Sequence, residues 1–223
     1  MRSERMRRER MHDAARFTTL CRVSMACLLC LTLGACGLSL SRPAPTKQSF
    51  LLHATRTDAS AASIHPHILR VNRFDIAQPF NGKSLVYRTS ETGFETDFYN
   101  EFVANPAGML TERATVWLRE ARVFQNVIPM VSTLEHRYVL EATGAELYGD
   151  FREAAQPAAV LSLRVYLARD DDKTVIVYDK TLSRRVPVAS RTPEAIVVGL
   201  DRALEGVLRE LETDIARLKL AGP

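Results

Sequence analysis

The feature that most limits how this chain can fold is a long apolar stripe near its C-terminus. Ile196, Val197, Leu200, Ala203, Leu204, Val207, Leu208, Leu211, Ile215 and Leu218 recur at three- and four-residue spacing, with Arg202, Glu205, Arg209, Glu210 and Arg217 between them. That period is helical and gathers the apolar side chains on one face. Thr192 and Pro193 predict where the helix starts: a threonine oxygen accepts from a free first-turn amide, and proline's fixed φ suits the first helical position. Glu194 adds negative charge at the positive helix end. The expected helix runs for about 25 residues and stops before Gly222. A stripe of this length cannot face water, so the rest of the chain must supply a broad apolar layer to cover it.

A second helix is predicted over 106–122. Asn105 and Pro106 repeat the cap and first-turn logic, Met109, Leu110, Ala114, Trp117, Leu118 and Ala121 share one side, and Glu112, Arg113, Arg119 and Glu120 lie opposite. The remaining periodic segments read as strands. Before the helix these are 50–54, 68–74, 84–90 and 93–98, with a turn at Pro79, Asn81 and Gly82, which together suggest a meander. After it come 123–130, 138–148, 160–169 and 174–188. Asp170, Asp171, Asp172 and Lys173 make the tip of a long hairpin, beyond which Val175, Val177 and Asp179 face one way and Ile176 and Tyr178 the other. The expected fold class is α/β in the α+β sense. A mixed, largely antiparallel sheet packs against two amphipathic helices in a single two-layer domain. Strand order is not legible at this level.

The N-terminal part obeys a different logic. Arg2, Arg5, Arg7, Arg8, Arg10, Arg16 and Arg22 precede an apolar run over 23–33, which closes on Leu33, Gly34, Ala35 and Cys36 and is followed by Ser, Pro, Thr, Lys and Gln. Positive, apolar, small and then polar is the layout of a secretory signal peptide. A Leu, small, small, Cys ending resembles the lipobox of bacterial lipoproteins, whose cysteine thiol receives a diacylglycerol and becomes the first mature residue. The expected organisation is a lipoprotein signal peptide at 1–35, a lipidated tether at 36–49 and a folded domain at 50–223. The competing layout is an uncleaved signal anchor, since residues 23–40 carry no charge and a run of about 18 apolar or small residues approaches a membrane span. Gly34, Ala35, Gly37, Ser39 and Ser41 weaken that run. Arg7 and Arg8 are followed by Glu9 and Arg10, against twin-arginine export. Met6 and Met11 are alternative starts.

Setting the leader aside changes the meaning of the composition. The whole chain has 30 basic and 26 acidic residues and a pI near 9.0, which would ordinarily bring nucleic acid to mind as a partner. Without the seven Arg, two Glu and one Asp of residues 1–35, the balance is 23 against 23. No nucleic-acid partner is therefore expected. Cys21, Cys27, Cys30 and Cys36 all lie in or at the end of the leader, so the folded part has no thiol for a disulfide or a cysteine-based zinc site.

Catalytic patterns are weak. His65 and His67 flank Pro66 without a third ligand and read as a loop before a strand; His53 and His136 are isolated. Asp170 to Asp172 lack the glycine and distal glutamate of a calcium loop. Glu91, Glu95 and Asp97 are acids of a polar strand, and no Gly-x-Ser-x-Gly, phosphate loop or His-Glu-x-x-His occurs. Neither a catalytic residue, a metal nor a dissociable cofactor is expected. The aromatic group Phe94, Phe98, Tyr99 and Phe102 reads either as core or as a surface for a partner or for lipid, since aromatic residues concentrate at interfaces.

The lipobox, the early Phe50-Leu51-Leu52, the Ile68-Leu69-Arg70-Val71 and Leu85-Val86-Tyr87-Arg88 strands, a Pro-led first helix, a β-rich middle and a C-terminal Thr-Pro-Glu-Ala helix occur in this order. Together they resemble the ABC-type transport auxiliary lipoprotein family, the group that includes the lipoprotein of the paraquat-inducible operon. The resemblance implies a protein held by a diacylglycerol and an acyl chain on Cys36 at the periplasmic face of the outer membrane. Asp after the lipidated cysteine would favour inner-membrane retention in enteric bacteria, and here the residue is Gly37. The implied partners are an ABC permease, its ATPase and an MCE-domain protein of an intermembrane lipid transport system, met by docking rather than catalysis, with self-association left open. The alternatives are an outer-membrane assembly lipoprotein for lipopolysaccharide or β-barrel machinery and, third, a periplasmic hydrolase.

Overall fold

The structure, a computed structural model, describes residues 46–57 and 65–220. The leader, Cys36 and the first part of the tether lie outside the described residues. In chain order the elements are β1 (Gln48–Phe50), β2 (His65–Val71), β3 (Ser84–Arg88), β4 (Phe94–Phe102), α1 (Pro106–Ala121), β5 (Phe124–Pro129), β6 (Tyr138–Asp150), β7 (Ala158–Asp170), β8 (Thr174–Pro187) and α2 (Pro193–Arg217). A mixed eight-stranded sheet carries both helices, the α+β arrangement that the two apolar stripes require.

Strand β6 is the spine of that sheet. Along one edge it pairs antiparallel with β7 from Tyr138↔Arg169 to Asp150↔Ala158, and β7 continues into the β8 hairpin. Its other edge is shared by two strands in succession, β2 at Leu69–Val71 and β3 at Tyr87–Arg88, both parallel to it. The connection between them keeps running along β6: the amides of Asn72, Asp75 and Ala77 donate to the carbonyls of Leu140, Ala142 and Ala145 at 2.9, 2.8 and 3.0 Å. Gly144, at φ 62°, forms the bulge in β6 at this point, a left-handed conformation that costs glycine little.

The expected meander is therefore corrected. Of the four strands before α1, β3 and β4 alone pair as a hairpin; β2 pairs with β5 and β6, and β1 runs parallel to β4. Pro79 belongs to a 3-10 turn, Gln78–Phe80, rather than to a hairpin turn. The strand expected at 50–54 shrinks to β1, which takes Gln48 and Ser49 from the tether. Beyond Phe50 the chain becomes a strap. Leu52 and Ala54 enter the core, the His53 amide donates to Asp201 Oδ1 at 2.7 Å, and Arg56 binds both carboxylate oxygens of Glu212 at 3.0 and 2.9 Å. Period-two burial holds, but side chains of α2 replace a neighbouring strand as partners.

Both helices begin where their caps place them. Asn105 Oδ1 accepts from the Ala107 amide at 2.9 Å and Thr192 Oγ1 from the Ala195 amide at 3.3 Å. The stripe of α2 is buried from Ile196 to Ile215 against β6, β7 and β8, while α1 packs on β2, β5 and α2. Gly199 sets how close α2 comes, because a Cβ there would stand 2.6 Å from Ala159 Cβ and Val188 Cγ1. The alternation expected in β8 breaks at Val177: the register passes from Leu167↔Tyr178 to Ala168↔Ile176, and Val177 and Tyr178 are both half-buried.

Candidate functional site

The four aromatic residues expected to act together are divided by the fold. Phe102 is 2% exposed, sits opposite Phe50 and belongs to the core, so it is removed from the surface group. Phe94 is partly exposed, but its ring packs edge-on against Phe80 and Tyr148, both at 5.8 Å, and the Arg88 guanidinium lies 5.6 Å from it. It walls a small aromatic cluster in which Phe80 and Tyr148 stack at 5.6 Å. Phe94 keeps 45% of its surface in solvent, and Phe98 and Tyr99, further along the strand, also reach solvent. Phe98 and Tyr99 are 72% and 40% exposed, and their rings meet edge to face at 5.0 Å.

A wide bulge holds them out. Across the β3–β4 pair the register jumps from Val86↔Thr96 to Ser84↔Glu101, so Asp97 to Asn100 pass a single residue of β3. Asp97 organises the loop. Its carboxylate accepts from the amides of Tyr99 and Asn100 at 2.9 and 3.0 Å, from Asn100 Nδ2 at 3.0 Å and from the Tyr87 hydroxyl at 2.9 Å. Burial pushes this carboxyl up, yet the donors outweigh it and hold the group below the usual aspartate range. Tyr87 is driven the other way, first by its own burial and then by its bond to Asp97.

The exposed pair has neighbours of fitting chemistry. The Val103 amide donates to the Phe50 carbonyl at 2.9 Å, which brings exposed Leu51 and Val103 to the same edge of the sheet. Lys47 Nζ stands 5.2 Å from the Phe98 ring centroid and 3.8 Å from Glu101, and Lys83 Nζ donates to the Val103 carbonyl at 3.0 Å. Leu51, Phe98, Tyr99 and Val103 thus lie along one edge of the sheet, interleaved with the Lys47–Glu101 pair and with Lys83 beside Val103.

The candidate chemical residues are engaged elsewhere. His65 and His67 are not in a loop: they open β2 and are buried, with His65 Nε2 3.0 Å from the Ile215 carbonyl and the His67 ring 5.2 Å from that of Tyr138. His136 Nε2 faces Asp170 at 3.5 Å. At the hairpin tip Asp171 meets Arg169 at 2.7 Å and Arg137 at 3.4 Å. Glu91 bonds Arg88 and Arg152, away from Asp97. Among the described residues no three His, Cys, Asp or Glu side chains form a metal-holding group.

No family model and no curated protein matches this sequence. Its fold, however, has solved counterparts. Protein XCC0632 from Xanthomonas campestris, described as a DUF330 protein, superposes with a TM-score of 0.67 at 17% identity, over 74% of this chain and 92% of that one. The crystal structure of a second, uncharacterized protein gives 0.57 at 16% identity, over 77% and 97%. At such identities the likeness is one of fold. This domain thus accounts for nearly the whole of each counterpart chain.

Two acids have roles that sequence reasoning missed. Asp97 reads in sequence only as an acid of a polar strand; the signal for its role is an Asp followed two and three residues later by amides it can bind, the pattern of an Asx turn. The other is Asp150 at the end of β6, 1% exposed, which accepts from Arg152 Nη2 at 2.8 Å and Nε at 2.9 Å and from Arg185 Nε at 3.4 Å. Bonds from Arg152 lower its pKa to about 2 against the opposing effect of burial, with Arg185 adding attraction. A carboxyl depressed in the folded state stabilises fully above its unfolded value near 3.8, and that stability is lost as pH falls through about 2. Because the arginines are partly solvated, the contribution is about 1–2 kcal/mol. Unfolding free energies from urea titrations should fall between pH 6 and pH 2 as several depressed carboxylates are protonated, and in Asp150→Asn the fall should be smaller by about 1–2 kcal/mol. An unchanged fall in that variant would assign the acid sensitivity to other carboxylates.

Proposed function

We propose that this chain is a lipid-anchored, periplasm-facing accessory subunit of an intermembrane lipid transport system composed of an ABC permease, an ATPase and an MCE-domain protein. It acts by contact rather than catalysis, with Cys36 fixing it to the outer membrane. The observation that carries this reading is the juxtaposition of a lipobox with a single folded domain that begins within a dozen residues and holds an aromatic pair out to solvent on a purpose-built bulge. The sequence resemblance supports this assignment, and the likeness to XCC0632 adds that such a domain stands as nearly a whole chain. No described helix is long and apolar enough to cross a membrane, and acyl chains supply the anchor in this reading.

The test is recovery of the complex. Full-length protein tagged at its C-terminus and purified from gently solubilised membranes should bring permease, ATPase and MCE-domain chains with it. Recovery of barrel-assembly or lipopolysaccharide-assembly proteins in their place would overturn the transport assignment.

A further inference from the structure

We propose that the face made by Leu51, Phe98, Tyr99 and Val103, together with Lys47 and Lys83, rests against the phospholipid head-group layer of the bilayer that holds Cys36. The inference rests on the lipid-anchored reading above and adds an orientation to it. Three observations converge on this face. The first is how it is built: four hydrogen bonds to Asp97 fix the bulge that carries the Phe98 ring. An apolar ring kept 72% exposed at a fixed position gains free energy when something apolar covers it.

The second is chemical. Aromatic rings beside lysines are the composition of the membrane interface, where the ring lies among the upper methylenes and the ammonium reaches the phosphates. Tyr99 offers a ring with a polar tip, and the Lys47 ammonium is already placed over Phe98. The third is where the chain comes from. Lys47 lies eleven residues after Cys36, a span of at most about 40 Å, and belongs to the face itself. A domain tied to the bilayer through Lys47 meets it with this edge. Two further exposed apolar groups among the described residues, Met130, Val131 and Leu134 after β5 and Val175 with Ile176 on β8, lie on strands other than the β1 that the tether enters.

The experiment uses the processed, acylated full-length protein in phosphatidylethanolamine–phosphatidylglycerol vesicles, with or without bromine on the acyl chains. Phe98→Trp and Val131→Trp are compared by difference with the unsubstituted chain, whose only tryptophan, Trp117, is buried. Both positions are exposed, so neither change disturbs the core. In Phe98→Trp the added indole emission should shift to the blue and lose most of its intensity in brominated vesicles, while in Val131→Trp it should stay water-like and unquenched. An unquenched signal at position 98, or equal quenching at both positions, would overturn the orientation. Fatty-acid labelling of the same preparations separates the two ideas. Label on Cys36 with no quenching at 98 removes this inference alone, whereas absence of label removes the anchor and this inference together.

Discussion

Replacing Trp117 with alanine should cost about 4 kcal/mol and lower the melting temperature by about 8–16 °C. The indole is 1% exposed on the inner face of α1, where it meets α2 and the strap. Its Nε1 donates to Glu212 Oε2 at 2.9 Å, and the same carboxylate binds Arg56 through both oxygens, while the Arg209 guanidinium lies 5.8 Å from the ring. Burial alone would push Glu212 up, but Arg56 and Trp117 together hold it below the ordinary glutamate range. Truncation to alanine therefore opens a large cavity and removes one of the donors that make a half-buried carboxylate tolerable. Trp117→Phe keeps most of the volume and loses the donor, for an expected cost of about 1–2 kcal/mol. Urea unfolding followed by circular dichroism checks both, since the substitutions remove the only tryptophan. Equal losses for the two variants would show that the hydrogen bond, and not the volume, fastens α1 to α2 and the strap.

That network also marks where sequence reasoning succeeds and where it stops. Trp117 belongs to a stripe whose period and caps are local properties, so α1 and α2 are legible to within a residue or so, and the long strands β6, β7 and β8 to within two residues at each end. Partners distant in sequence are not. Leu52 and Ala54 alternate like strand residues, but only the folded chain shows that Asp201 and Glu212 of α2, rather than another strand, receive that segment. Parallel pairing of β2 and β3 with one edge of β6 leaves no local trace, because no short turn joins the partners. The histidines misled for a related reason. Flanking Pro66 without a third ligand, they read as a loop, yet the Ile215 carbonyl in the last turn of α2, which also accepts from the Leu218 amide, lies 3.0 Å from His65 Nε2 and lets the ring be buried.

The candidate surface shows the same limit at finer scale. Strict alternation in β4 would place Phe94, Phe98 and Phe102 on one face and Tyr99 on the other. The bulge at Asp97 to Asn100 breaks the period, so Phe102 points into the core and Phe98 and Tyr99 point out. Lys47, Leu51, Lys83 and Val103 join them only because β1 pairs with β4, a contact about 50 residues long in sequence.

Cys36→Ala should reduce fatty-acid label to background and leave the leader on the chain. Each buried methylene contributes about 0.8 kcal/mol, so a diacylglycerol with a further acyl chain holds a protein at a bilayer where one chain alone exchanges freely. Lipidation and cleavage are coupled at this residue in the lipobox reading: the native chain should begin at Cys36, carry the mass of its lipid and lack residues 1–35, whereas the variant should run longer and unlabelled. An uncleaved signal anchor makes the opposite forecast. Its native chain would keep the charged N-terminal segment, take up no label and be unchanged in length by the substitution. Intact mass and metabolic labelling of the two proteins decide between them, and the decision reaches beyond the anchor. If Cys36 is the first residue, the mature chain is electrically balanced and its folded domain sits at the end of a short tether, so that what it can meet is set by the membrane surface beneath it and the transport chains that come within reach.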